Sequence, residues 1–206
     1  MKQSQKKELD KLVSLISIKV RQDLRTNEEN TIIKFILPLL EILGWDQASD
    51  EVEYQRTLKA MGRTDIILKI EGKPVVIIEA KKFNSELNDV HMKQAMRYKT
   101  HARWIIITNG KELRLYDRRK RSKWGREFFS LKYDSYKEYS DLLELISRKK
   151  IEKLALISDK YLEWKKLIKT KATKSRNKII GLFLADSLKE DKAIYNLIRR
   201  AVSEVR

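Results

Sequence analysis

The sequence predicts an α+β fold, a central mixed β-sheet flanked by helices, continued by a basic helical extension. Three observations lead to it. Apolar residues recur at helical spacing before Gly44 and again from about residue 136, which places helices towards both ends. Between them lie short β-branched runs at 66–70, 75–78 and 103–108, bounded by turn residues, which read as strands. At 206 residues the chain can bury one main core and carry an appendage. The division is set at 1–145 and 146–206.

Taken in order, residues 5–24 form a lysine-bearing helix with Leu9, Leu12, Val13, Ile16 and Val20 on one face. Thr26 or Asn27 caps a second helix, which runs to Leu43 and is closed by Gly44. Pro38 removes one of its hydrogen bonds, so an irregularity is expected there. Residues 51–58 alternate as a first strand, with Val52 and Tyr54 facing one way. The runs 66–70 and 75–78 flank Glu71-Gly72-Lys73-Pro74 and form a hairpin. A helix over 86–101 puts His91, Gln94 and Tyr98 on one face. Residues 103–108 are a buried strand, Asn109-Gly110 marks a hairpin turn, and 112–116 pair back. Helices follow from about 136, two of them amphipathic, at 179–188 and 193–205.

Composition narrows the function. The formal net charge is +17, from 46 Lys and Arg against 29 Asp and Glu. Such an excess points to a polyanionic partner, most simply nucleic acid. No apolar run approaches the roughly 18 residues of a membrane span. Nor does Met1-Lys2-Gln3-Ser4-Gln5-Lys6-Lys7 lead into a secretory signal, so an intracellular, cytoplasmic protein is expected. There are no cysteines, which removes disulfides, thiolate zinc sites and cysteine nucleophiles. A Gly-rich P-loop, a GxSxG elbow and a His-rich zinc cluster are all missing from the sequence. ATPase, acyl-hydrolase and zinc-hydrolase chemistry therefore have no residues to stand on.

The strongest functional signal is charge at the ends of the first hairpin. If its turn centres on Gly72, Ile66 faces Ile78 and Asp65 faces Glu79, with Lys81 on the Glu79 side of the sheet. Two carboxylates forced together repel, and a divalent cation turns that repulsion into binding. Hard oxygen ligands suit Mg²⁺ or Mn²⁺. Solvated charges at a frayed sheet end are the plain alternative.

Asp65 followed by Glu79-Ala80-Lys81 resembles the signature of the PD-(D/E)xK nuclease superfamily, with Thr64 where a Pro is common. Asn27-Glu28-Glu29-Asn30-Thr31, Ile36-Leu37-Pro38-Leu39-Leu40 and Leu43-Gly44-Trp45-Asp46 add a second block. Gln94-Ala95 with Tyr98 adds a third. Trp104 to Gly110 followed by Leu113 to Asp117 adds a fourth. In this order the blocks resemble the N-terminal nuclease domain of type I restriction enzyme R subunits, over about 27–117. The resemblance implies a restriction-endonuclease-like core. It also implies that Asp65, Glu79, the Ala80 carbonyl and Glu28 hold Mg²⁺ or Mn²⁺, with Glu29 the fallback for Glu28. Lys81 would be the catalytic ammonium. Gln94 and Tyr98 would support Lys81 or contact phosphate, unless Tyr98 simply packs. His91 is not enlisted as a base.

Basic residues supply the remaining expectations. Arg118, Arg119, Lys120, Arg121, Lys123 and Arg126 surround Trp124 and form either a phosphate-gripping loop with a stacking ring or a solvated hairpin tip. Lys171, Lys174 and Arg176 form a second basic stretch. The expected function is metal-dependent hydrolysis of DNA phosphodiester bonds by a free-standing endonuclease, with RNA left open as substrate. A homodimer is expected because cutting two strands needs two sites. The competing readings are a nucleic-acid-binding protein that has lost turnover and a structure-specific, junction-resolving nuclease.

Overall fold

The computed structural model describes residues 1–18, 27–54, 57–58, 62–83, 85–98, 100–119 and 127–155. The chain divides into two compact units, Met1–Glu138 and Tyr139–Arg206.

In the first unit, helix α1 (Gln3–Ile18) buries Leu9, Leu12 and Ile16, a spacing of three and four that keeps them on one face. Gln5 fastens this helix by donating to the Ile42 carbonyl at 2.7 Å. Asn27 then caps α2 (Glu28–Thr31), its side chain accepting from the Asn30 N–H at 2.7 Å. A π-helical turn, Ile32–Ile36, follows and passes into α3 (Leu37–Ile42). The irregularity at Pro38 takes this form. Without an N–H, Pro38 cannot bond one turn back, and the preceding turn widens so that Leu37 donates to the Ile32 carbonyl. Gly44, at φ 83°, ends the segment, with Gly44 N–H on the Glu41 carbonyl and Trp45 N–H on that of Leu40. Ile32, Phe35, Ile36, Leu39 and Leu43 form the buried stripe.

The stretch 51–58, predicted as one strand, is two pieces. β1 (Val52–Tyr54) lies at the edge of the main sheet, whereas β2 (Thr57–Leu58) pairs with β3 (Gly62–Arg63) in a sheet of its own. The main sheet continues with β4 (Ile66–Ile70), β5 (Lys73–Ala80), β6 (Trp104–Thr108), β7 (Glu112–Asp117) and β8 (Glu127–Lys132). Its order is β1-β4-β5-β6-β7-β8, with β5 and β6 parallel and the other pairs antiparallel. The parallel pair needs a crossover, supplied by α4 (Asp89–Arg97), shorter than the predicted 86–101. Asn88 starts it in a capping box with His91, and Tyr98 ends it in extended backbone. One face of α4 covers Ile77, Ile105, Ile107 and Tyr116 through Ala95 and Tyr98. The fold is thus a mixed six-stranded sheet with helices, the α+β class the sequence predicts.

The central hairpin reaches its register by an unexpected route. Its turn centres between Glu71 and Gly72, both at positive φ (50° and 73°), and pairs Ile70 with Lys73 and Lys69 with Pro74. Val75 is then an extra residue on β5, a bulge, after which Leu68 pairs with Val76, Ile67 with Ile77 and Ile66 with Ile78. Without that residue the same turn would leave Asp65 opposite Ile78. With it, Asp65 falls opposite Glu79.

The second unit is described over 139–155. It holds α5 (Ser140–Glu144), preceded in the first unit by a 3₁₀ turn at Tyr133–Ser135. Residues 145–153 are turns and a bend, where the sequence pattern reads as helical. Leu142, Leu143, Leu145, Ile146, Ile151 and Leu154 are buried there. The predicted helices at 179–188 and 193–205 lie outside the described residues. Among the described residues, no helix is long and apolar enough to cross a membrane.

Candidate active site

The carboxyl end of β5 carries charge into a buried setting. Glu79 is 2% exposed, yet its neighbours on β5 and β6 are isoleucines and alanine. It is tolerated because both oxygens are met. Lys81 Nζ donates to Oε1 at 2.8 Å, and the Tyr98 hydroxyl donates to Oε2 at 2.9 Å. Gln94 Nε2 in turn donates to the Tyr98 oxygen at 3.3 Å. A carboxylate can only accept, so the direction of this relay is fixed: Gln94 to Tyr98 to Glu79.

Asp65 sits just before β4, at the same end of the sheet. Its Oδ2 accepts the Ala80 N–H at 2.7 Å, standing in for the main-chain acceptor that β4 no longer supplies. In a strand, the N–H and carbonyl of one residue point to the same side. The Ala80 carbonyl therefore points towards Asp65 as well. On the other side, β5 stays tied to β6 through Lys81 N–H on the Thr108 carbonyl at 2.8 Å. Burial, then the charge of Glu79, raise the Asp65 pKa from 3.8 to about 6, against the lowering effects of the Ala80 N–H and Lys81.

Lys81 is half-buried, and burial alone would lower its pKa. The hydrogen bond and charge of Glu79, with Glu28 and Asp65 behind it, reverse that and raise it, so the ammonium stays charged. Glu28, in the first turn of α2, brings Oε1 to 3.7 Å from Lys81 Nζ. Glu29, the fallback, instead meets the Tyr54 hydroxyl at 3.4 Å. The sheet end thus gathers Asp65, Glu79, Lys81 and Glu28, the residues predicted from the sequence, with Gln94 and Tyr98 behind them.

The donors here are all oxygens, from Asp65, Glu79, Glu28 and the Ala80 carbonyl, a set whose chemistry fits a hard cation such as Mg²⁺ or Mn²⁺. A cation would also relieve the repulsion felt by Asp65. Among the described residues, no three acidic or imidazole side chains stand close enough together to hold a metal as they are.

Other expected residues have different places. Tyr98 is 2% exposed and its hydroxyl serves Glu79, which removes it from direct phosphate contact. Arg118 turns inward, donating to the carbonyls of Thr100 (2.6 Å), Met96 (3.2 Å) and Tyr98. It closes the C-terminal end of α4, where orphan carbonyls need donors, and is not an outward phosphate contact. Arg119 is exposed. Lys120, Arg121, Lys123, Trp124, Lys171, Lys174 and Arg176 lie outside the described residues. His91 caps α4 through its Nδ1, 3.4 Å from the Asn88 N–H. Sequence reasoning missed the Val75 bulge, although Pro74 was a signal, since proline within a sheet is confined to edges, strand starts and bulges.

Residues 47–124 match the family of the type I restriction enzyme R protein N terminus. No curated protein and no solved structure matches the chain. The match contains Asp65, Glu79, Lys81, Gln94 and Tyr98, whereas Glu28 and everything after residue 124 lie outside it.

Proposed function

We propose, starting from a nuclease-like domain of this restriction-enzyme kind, that the protein is a metal-dependent endonuclease acting on DNA phosphodiester bonds. One observation carries the reading: two carboxylates and an ammonium share one sheet end inside the matched segment, with Lys81 2.8 Å from Glu79. Asp65, Glu79, the Ala80 carbonyl and Glu28 would hold Mg²⁺ or Mn²⁺. When bound, such an ion polarises the phosphoryl group and lowers the pKa of a nearby water.

The chain's own residues do the rest. Lys81 presents a charged ammonium to the non-bridging oxygen, where negative charge grows as water adds to phosphorus and one P–O ester bond breaks. The proton released by water passes to solvent, and the departing oxygen takes one up. Tyr98 and Gln94 hold Glu79 in one orientation. Basic surface, from a net charge of +17, attracts the substrate.

The test is a Mg²⁺-dependent cleavage assay on single-stranded, duplex and branched DNA, with RNA as a further arm. Lys81→Ala and Asp65→Ala are expected to bind nucleic acid and to lose cleavage by roughly 10²-fold or more. Undiminished cleavage by either variant removes its assigned role. The competing reading, a nucleic-acid-binding domain with the nuclease fold but without turnover, rests on the same basic composition. It predicts binding with no cleavage of any substrate.

A further inference from the structure

A cavity of about 470 Å³ opens beside the catalytic end of the sheet. Its walls include Leu87 from the loop after β5, Lys111 from the β6–β7 turn, Glu112 and Arg114 from β7, and Lys132 and Tyr133 from β8 and the residue after it. The walls are tied together: the Tyr133 N–H donates to the Lys111 carbonyl at 2.9 Å, and Glu112 pairs with Lys132 across the strands.

Sheet register fixes where the cavity lies. Glu79 pairs with Ile107, and Ile107 with Arg114, so Glu79 and Arg114 stand in one row on one face. Two strand spacings separate them, about 10 Å. Helix α4 packs on the same face, over Ile77, Ile105 and Tyr116 and as far as Ile107 in that row. Catalytic carboxylate and cavity therefore share the face and the end of the sheet.

The lining has the chemistry of a nucleotide site. Arg114 is locked on Glu112 by two bonds, Nε to Oε1 at 2.7 Å and an amino group to Oε2 at 3.2 Å. That pair presents donors and acceptors side by side, as the polar edge of a base requires, and a flat guanidinium face for stacking. Tyr133 adds a ring and Leu87 an apolar wall. Lys111 and Lys132 are exposed cations at the rim, suited to phosphate. The volume lies within the usual range of small-ligand sites, about 300–1,000 Å³.

We propose that this cavity receives a nucleotide of the bound strand adjoining the phosphodiester at the catalytic carboxylates. Its phosphate lies towards Lys111 and Lys132, and its base lies against Tyr133 and the Arg114–Glu112 pair. The proposal rests on the nuclease reading for what happens next door, but it is tested by binding, which needs no cleavage. The full chain is titrated into fluorescent DNA oligonucleotides at several salt concentrations, as parent and as Lys111→Ala/Lys132→Ala. Both side chains are exposed, so the fold is expected to survive, and circular dichroism checks it. Losing two phosphate contacts should flatten the slope of log Kd against log salt by roughly 1.4–1.8 and weaken binding at low salt. A parallel Tyr133→Ala variant should weaken binding without altering that slope, a split that loss of charge cannot mimic.

Unchanged Kd and slope in the double variant overturn the cavity assignment, even if the parent cleaves DNA. Lowered affinity in both variants with no cleavage by the parent keeps the cavity and removes the nuclease reading. A free deoxynucleoside monophosphate that binds more tightly than the oligonucleotide, and is lost in Tyr133→Ala, would assign a small-molecule site and overturn the strand version.

Discussion

Asp65 loses water on folding and gains Glu79 as a neighbour, and both raise its pKa, from 3.8 to about 6. A carboxyl with a raised folded pKa contributes stability below the unfolded value that is lost as pH rises through the folded one. The window here runs from about pH 4 to about pH 6. Asp65→Asn removes the titration, and an amide oxygen can still accept the Ala80 N–H. In metal-free buffer the variant is expected to melt above the parent at pH 7 and alongside it at pH 4. A variant that melts at or below the parent temperature at pH 7 contradicts this account of the site. Tyr98 offers a separate check. Tyr98→Phe deletes the 2.9 Å bond to Glu79 while leaving the ring packed. Outer residues that orient metal ligands are commonly worth 10–100-fold in metal affinity or activity. The variant should therefore need roughly that much more Mg²⁺ for half-maximal cleavage. An unshifted metal titration would show that Glu79 is held without it.

Elements bring these residues together, and turns decide which element meets which. Gly110, at φ 81°, is the middle residue of the β6–β7 connection, where Asn109 Oδ1 accepts from the N–H groups of Lys111 (2.9 Å) and Glu112 (2.8 Å). A Cβ there would lie 3.1 Å from the Phe83 ring and 3.2 Å from the Thr31 methyl. Gly110→Ala therefore meets both backbone strain and crowding, and should destabilise the fold by about 1–3 kcal/mol, read as a lowered denaturation midpoint. An unchanged midpoint would mean that the turn relaxes freely. The Asn-Gly pair announces this turn in the sequence, and short continuous β-branched runs announce β4, β5 and β6, because burial and turn chemistry are local signals. Asp65, Glu79 and Lys81 were legible for the same reason: charge beside β-branched runs is costly and stands out. The register that makes them neighbours was legible only in its outcome. A turn centred on Gly72 gives the observed inner pairs, yet the chain reaches them through Glu71-Gly72 and a bulge at Val75. Such compensation depends on the packed sheet. Arg118 was illegible in another way. Nothing in a run of cations tells which one will fold back onto carbonyls 18 to 22 residues upstream, at the end of a helix, since that depends on where α4 stops.

The molecule as a whole is strongly cationic, with 46 Lys and Arg among 206 residues, and this separates attraction from chemistry. Counterion release makes log Kd for duplex DNA linear in log salt, with a slope of about 0.9 for each phosphate neutralised. Lys81 is one cation of the 46, half-buried and engaged by Glu79 at 2.8 Å, so removing it changes that slope by at most about 0.9. Transition-state stabilisation has no such redundancy, because no second ammonium bonds Glu79 among the described residues. Lys81→Ala should therefore keep a steep salt dependence, with three or more phosphates' worth of slope, while cleavage at saturating DNA falls by roughly 10²-fold or more. Binding isotherms at graded salt, run beside single-turnover cleavage, measure the two quantities independently. If binding collapses together with cleavage, Lys81 holds substrate rather than the transition state. If the parent's affinity is insensitive to salt, the basic surface is not what brings DNA to the site.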